Sequence, residues 1–138
     1  DNIEHRFGST IFVLFYLVSG LAATFAHIAT NSGSPIPSVG ASGALSGVLG
    51  AYILLYPTNR VRVLIGYFVT SVPAVVFLGV WFITQFINGV AALNVETAQT
   101  SGVAYWAHIG GFVAGVVLGL ILRGMTTEED RQRRAARY

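Results

Sequence analysis

The chain has 138 residues, of which 54% are hydrophobic and 10% charged; its mean hydropathy is +0.66 and its formal net charge +2. A soluble domain carries roughly 25% charged residues, so this composition excludes one and calls for lipid as part of the solvent. There is no cysteine, which excludes a disulfide framework and a thiolate metal site.

Residues 1–9 are polar, with Asp1, Glu4 and Arg6, and do not have the pattern of a cleavable signal peptide. The sequence lacks an initiator methionine and reads as a piece, or a processed form, of something longer. Residues 11–29 are a nearly unbroken apolar run of the length a membrane helix needs, with Ser9 or Thr10 as its cap and Asn31 to Pro37 as its end. A second apolar run starts near Ala41 and stops at Tyr56, before Pro57-Thr58-Asn59. From Ser42 it would rise roughly 22 Å at 1.5 Å per residue, short of the ~30 Å hydrocarbon core. Either irregular backbone inside protein flanks it, or its head lies below the membrane surface in a water-accessible cavity; both place Ser42 in a recess. A third span is expected over 63–87, kinked at Pro73 and ending in Trp81, Phe82, Gln85 and Phe86. A polar loop over 88–102 carries Glu96; the fourth span runs over 103–122, and a charged tail over 123–138. The expected architecture is all-α: one polytopic membrane helical bundle with four transmembrane helices.

The arginines give an independent check on this topology. Arg6, Arg60, Arg62, Arg123, Arg131, Arg133, Arg134 and Arg137 are all eight basic residues. With four spans they fall on one side, which the positive-inside rule makes cytoplasmic. Split among membrane-proximal segments and including no lysine, they do not resemble a nucleic-acid surface. The charged tail is expected to be a solvated helix, with anionic lipid headgroups as the other possible contact.

Two stretches carry the chemistry. Gly40-Ala41-Ser42-Gly43-Ala44-Leu45-Ser46-Gly47 opens the second span, and Ala107-His108-Ile109-Gly110-Gly111 opens the fourth. Glycines at 43, 47 and 50, and at 111, 115 and 119, line one side of their helices and allow close backbone approach. Both spans descend from the outer face, so Ser42 and His108 are expected at matching depth. A serine hydroxyl becomes a nucleophile when a neighbouring base takes its proton, and neutral imidazole is such a base. No carboxylate is placed to complete a triad, so the pair would act as a dyad. Backbone amides near Ser42, those of Gly40 and Ser42, would serve as oxyanion donors. His27, at the outer end of the first span, is expected at the water interface, with a second base or an oxyanion donor as the other reading. Ser19, Ser46 and Ser71 are expected to be packing or back-bonding serines. Trp81, Phe82, Tyr105 and Trp106 are expected to form an interfacial aromatic belt.

Gly40-Ala41-Ser42-Gly43 resembles the GxSG motif of rhomboid intramembrane serine proteases, and Ala107-His108-Ile109-Gly110-Gly111 resembles that family's AHxxG motif. Asp1-Asn2-Ile3-Glu4 resembles the family's junction between its second and third helices, and the stretch from Pro73 through Trp81 to Gln85 resembles its fifth. The resemblance implies a Ser42–His108 dyad that hydrolyses peptide bonds in or near transmembrane segments of other membrane proteins. It implies no cofactor and no metal, and a gate formed by the third span with Trp81, Phe82 and Phe86. This chain departs from the family twice. It corresponds to helices three to six of a six-helix core, without the His-x-x-x-Asn motif of the second, so a separate or removed segment would supply the first two. Where many members carry an aromatic four residues after the nucleophile, this chain has Ser46. Two other classes fit parts of the same sequence: a catalytically inactive rhomboid-like scaffold that binds client helices, and a channel or transporter. The channel would need polar residues along a path, and the third and fourth spans have few.

Overall fold

The structure is a computed structural model that describes residues 1–32, 41–93 and 104–135, with side chains up to residue 125. Five helices and one hairpin follow in order: α1 (Asn2–Phe7), α2 (Ser9–Thr30), α3 (Ser42–Leu55), β1 (Arg60–Ile65), β2 (Phe68–Pro73), α4 (Ala74–Ala92) and α5 (Tyr105–Ala135). Three helices are long and apolar enough to cross a membrane, at Ser9–Thr30, Ala74–Ala92 and Tyr105–Met125, and α3 is a shorter apolar helix. The bundle turns large apolar side chains outward, among them Leu14, Leu17, Leu21 and Phe25 on α2 and Ile83 and Ile87 on α4. In a bilayer these face a solvent as apolar as themselves. The protein is an integral membrane helical bundle.

The centre of the bundle is a seam between α3 and α5. Gly43, Gly47 and Gly50 on α3 meet Ala107, Gly111, Phe112 and Gly115 on α5, and the two backbones touch. A Cβ added to Gly111 would strike the Gly43 carbonyl, and one added to Gly115 the Gly47 carbonyl. Contacts advance in the same direction on both helices, so α3 and α5 run parallel. Helix α2 closes the third side: Ala23 reaches Gly43 and Gly111, Ser19 abuts Gly47, and Ala26 abuts Gly110. With no hydrophobic drive between helices in lipid, such close approach supplies the packing energy that side chains supply in water.

The lower end is tied by the N-terminal segment. Ile3 and Phe7 are buried with Phe15 and Ala51, and Val48, Leu55, Leu118 and Leu122 pack around them. Asn2 Nδ2 donates to the Tyr52 hydroxyl at 3.2 Å, and the Tyr56 hydroxyl donates to the Asn2 carbonyl at 3.2 Å. Polar as it reads, residues 1–9 contain this short amphipathic helix, whose i,i+4 pair Ile3 and Phe7 was the available signal. Helix α2 starts without a side-chain cap; Ser9 Oγ donates back to Glu4 Oε1 at 2.6 Å.

The third expected span is the main correction. Residues 63–87 are not one helix: β1 and β2 form an antiparallel hairpin, and the helix runs over 74–92. Alternating β-branched residues (Val61, Val63, Ile65 and Val69, Thr70, Val72) favour strands, and Gly66-Tyr67 makes a two-residue loop. Gly66 has φ +61° and Tyr67 does not have positive φ, the pattern of a II′ hairpin turn. Pro73 therefore starts α4 and does not kink it. At the N-cap its missing N–H costs nothing, and the Asn59 and Pro57 carbonyls accept from Ala74 N–H at 2.7 Å and Val75 N–H at 3.0 Å. Ser71 consequently lies in a strand, where its carbonyl accepts from Arg60. The polar loop expected from 88 begins later, since α4 runs to Ala92; Glu96 lies outside the described residues.

Candidate active site

Ser42 is the first residue of α3 and is exposed, while His108 is half-buried in the first turn of α5. The seam brings their turns together. The position a Gly43 Cβ would take lies 3.5 Å from the Ala107 carbonyl oxygen and 3.7 Å from Ala107 Cβ, so the residues adjoining Ser42 and His108 are in contact. Among the described residues no hydrogen bond joins Ser42 Oγ to His108. Ser46, one turn below, is buried and donates to the Ser42 carbonyl at 2.7 Å. This back-bond keeps the Ser46 hydroxyl out of the site. Gly40 lies outside the described residues.

His108 is held from α4. Its Nδ1 lies 2.8 Å from Gln85 Oε1, and the Trp81 ring sits 6.0 Å from the imidazole at 36°. Gln85 and Trp81 are four residues apart and therefore share a face of α4. The same face continues in both directions. Phe82 stacks on Phe112 with centroids 4.5 Å apart, Trp81 also meets Phe112 at 6.0 Å, and Trp106 Nε1 donates to the Gly89 carbonyl at 3.0 Å. Trp81, Phe82 and Trp106 thus make contacts between helices. Phe86 differs from its neighbours in being exposed. The sequence placed Gln85 near the end of its span but offered no partner for it; with Asn88 it is one of two amides in a largely apolar helix.

His27, expected at the water interface, is half-buried. Its Nδ1 is enclosed and has no hydrogen-bond partner among the described residues, while its carbonyl accepts from Asn31 N–H at 2.9 Å and Thr30 Oγ1 at 3.1 Å. Ser19 Oγ is likewise enclosed without a partner, against Gly47. Among the described residues no group of three or more metal-ligating side chains comes together.

Comparison with known proteins agrees with this arrangement. The Rhomboid domain family model matches residues 1–125. Rhomboid protease GluP of Bacillus subtilis (strain 168) is 32% identical over 118 residues, covering 86% of this chain and 20% of that protein. RHOMBOID-like protein 5 of Arabidopsis thaliana is 32% identical over 121 residues, 88% of this chain and 35% of that protein. The mitochondrial Rhomboid protein 1 of Saccharomyces cerevisiae (strain ATCC 204508 / S288c) is 39% identical over 99 residues, 71% of this chain and 25% of that protein. The chain therefore spans between 20% and 35% of the length of these relatives. No solved structure matches. A glycine seam between parallel helices, with a serine at the head of one and a histidine in the first turn of the other, and a family match over nearly the whole chain lead to one conclusion: this chain belongs to the rhomboid family.

Proposed function

We propose that this chain carries the catalytic dyad of an intramembrane serine endopeptidase, which cuts peptide bonds in or near transmembrane segments of other membrane proteins. The observation that carries the reading is the contact of Gly43 with Ala107, which sets the Ser42 turn beside the His108 turn. In the reaction, Ser42 Oγ attacks the scissile carbonyl carbon while His108 Nε2 takes the hydroxyl proton. The carbonyl oxygen becomes an oxyanion facing the backbone amides of Ser42 and Gly40. The C–N bond then breaks, the imidazolium gives its proton to the leaving amine, and water hydrolyses the acyl-enzyme by the same steps. Substrate segments enter past α4, with Trp81, Phe82 and Phe86 as the gate and the loop beyond Ala92 as the cap.

The sidedness belongs to the same proposal. Helix α1 with Arg6, the hairpin base with Arg60 and Arg62, and the turn of α5 that ends in Leu122-Arg123 gather at one end of the bundle. That end faces the cytoplasm, and Ser42 opens towards the opposite face.

A client-binding scaffold without catalysis is the second reading. It is favoured by one observation: among the described residues no hydrogen bond joins Ser42 Oγ to His108, although the turns that carry them are in contact. Labelling with a serine-directed fluorophosphonate in liposomes separates the two. Ser42 is expected to label, with the signal lost in both Ser42→Ala and His108→Ala. No labelling, either of this chain or of a longer form carrying the sequence before it, would leave the scaffold.

A further inference from the structure

We propose that Gln85 is the positioning residue of this site, the group that fixes which imidazole nitrogen of His108 can act as base. The proposal rests on the dyad reading above and deepens it. A base that must accept a proton on Nε2 needs its own proton on Nδ1, and the tautomer is set by the hydrogen bond that Nδ1 makes. Here Nδ1 faces Gln85 Oε1 at 2.8 Å. An amide oxygen only accepts, so Nδ1 donates and the lone pair is left on Nε2. Nothing else in the described structure can take this part. The helices around the site, α2, α3 and α4, contain no aspartate or glutamate, and Ser46, four residues after Ser42, is occupied with the Ser42 carbonyl.

The support is unusual in where it comes from. Both contacts on the imidazole, the Gln85 amide and the Trp81 ring, belong to α4, while nucleophile and base belong to α3 and α5. During the reaction the Ser42 proton moves to Nε2 and the Nδ1 proton stays in the bond to Gln85. The imidazolium is then stabilised by an amide dipole, where a triad would use a full negative charge. A substrate that displaces α4 releases the base from its orientation until the helix closes again.

The test combines two readouts on the whole protein in detergent. With ¹⁵N-labelled histidine, NMR identifies the His108 signals by their loss in His108→Ala and reads the tautomer from the two ring nitrogens. The wild type is expected as the Nδ1–H tautomer, and Gln85→Met, which keeps the bulk and removes the acceptor, is expected to shift it towards Nε2–H. Gln85→Glu, which still accepts, is expected to keep Nδ1–H. Fluorophosphonate labelling of Ser42 should slow about tenfold or more in Gln85→Met, a part of the roughly 10²–10⁴-fold that general-base catalysis supplies, and recover in Gln85→Glu. An Nε2–H wild type, or a Gln85→Met variant with unchanged tautomer and rate, overturns the role of Gln85 and leaves the dyad standing. A wild type that never labels overturns the dyad, and the positioning role falls with it.

Discussion

Helix α5 is held on two sides by different means. Towards α3 it offers glycines, and backbone lies on backbone with nothing between that could rotate. Towards α4 it offers side chains: the Trp106 indole meets the Gly89 carbonyl, the His108 imidazole meets Gln85 and Trp81, and the Phe112 ring meets Trp81 and Phe82. The first contact admits one geometry, because a main chain cannot choose another rotamer. The second can be broken piecewise and remade. The difference teaches that one helix can hold a fixed contact, the approach of the serine turn to the histidine turn, beside one that opens piece by piece.

The comparison is broken most severely at Gly115. A methyl there meets the Gly47 carbonyl, so Gly115→Ala should cost about 3 kcal/mol, the upper part of the usual range for overpacking, and lower Tm in detergent. An unchanged Tm would mean that the seam is looser than the structure has it. A smaller effect is expected at the α4 contact. Trp106→Phe keeps a ring and removes the hydrogen bond to the Gly89 carbonyl, a loss of about 1 kcal/mol. Hydrogen exchange should rise in α4 with little change in α2 or α3; a uniform rise would refute the separation. The smallest effect belongs to Gly79, where an added methyl meets nothing within 4 Å. Gly79→Ala should leave Tm unchanged or raise stability by at most about 1 kcal/mol through helix propensity. A drop like that of Gly115→Ala would mean that glycine as such, and not its neighbour, decides the cost.

Much of the seam was legible because its signal is local. Glycines at 43, 47 and 111, 115 repeat at the spacing of a helix face, and Ser42 and His108 head those faces. The hairpin was not legible by hydropathy, which assigns Val63–Val72 to a span because an apolar strand and an apolar helix score alike over a short window. The alternation of β-branched residues around Gly66-Tyr67 held the answer, and Pro73 at the start of a helix was the second sign. The Gln85–His108 pair could not be read from the sequence, since it joins residues 23 apart on antiparallel helices and depends on where α4 begins. Starting that helix at 74 decides which of its faces meets α5.

The α4 attachments also have an order. Along the helix they fall at Trp81 and Phe82, then Gln85, then Gly89, one turn apart, on a single stripe. At its other end α4 is pinned by the Asn59 and Pro57 carbonyls at the base of the hairpin. The helix is thus pinned at Ala74 and attached to α5 stepwise towards Ala92. A deflection about Ala74 would part Gly89 from Trp106 first, Gln85 from His108 second and Phe82 from Phe112 last, so a small movement would break the imidazole contact while the aromatic clasp below it still held.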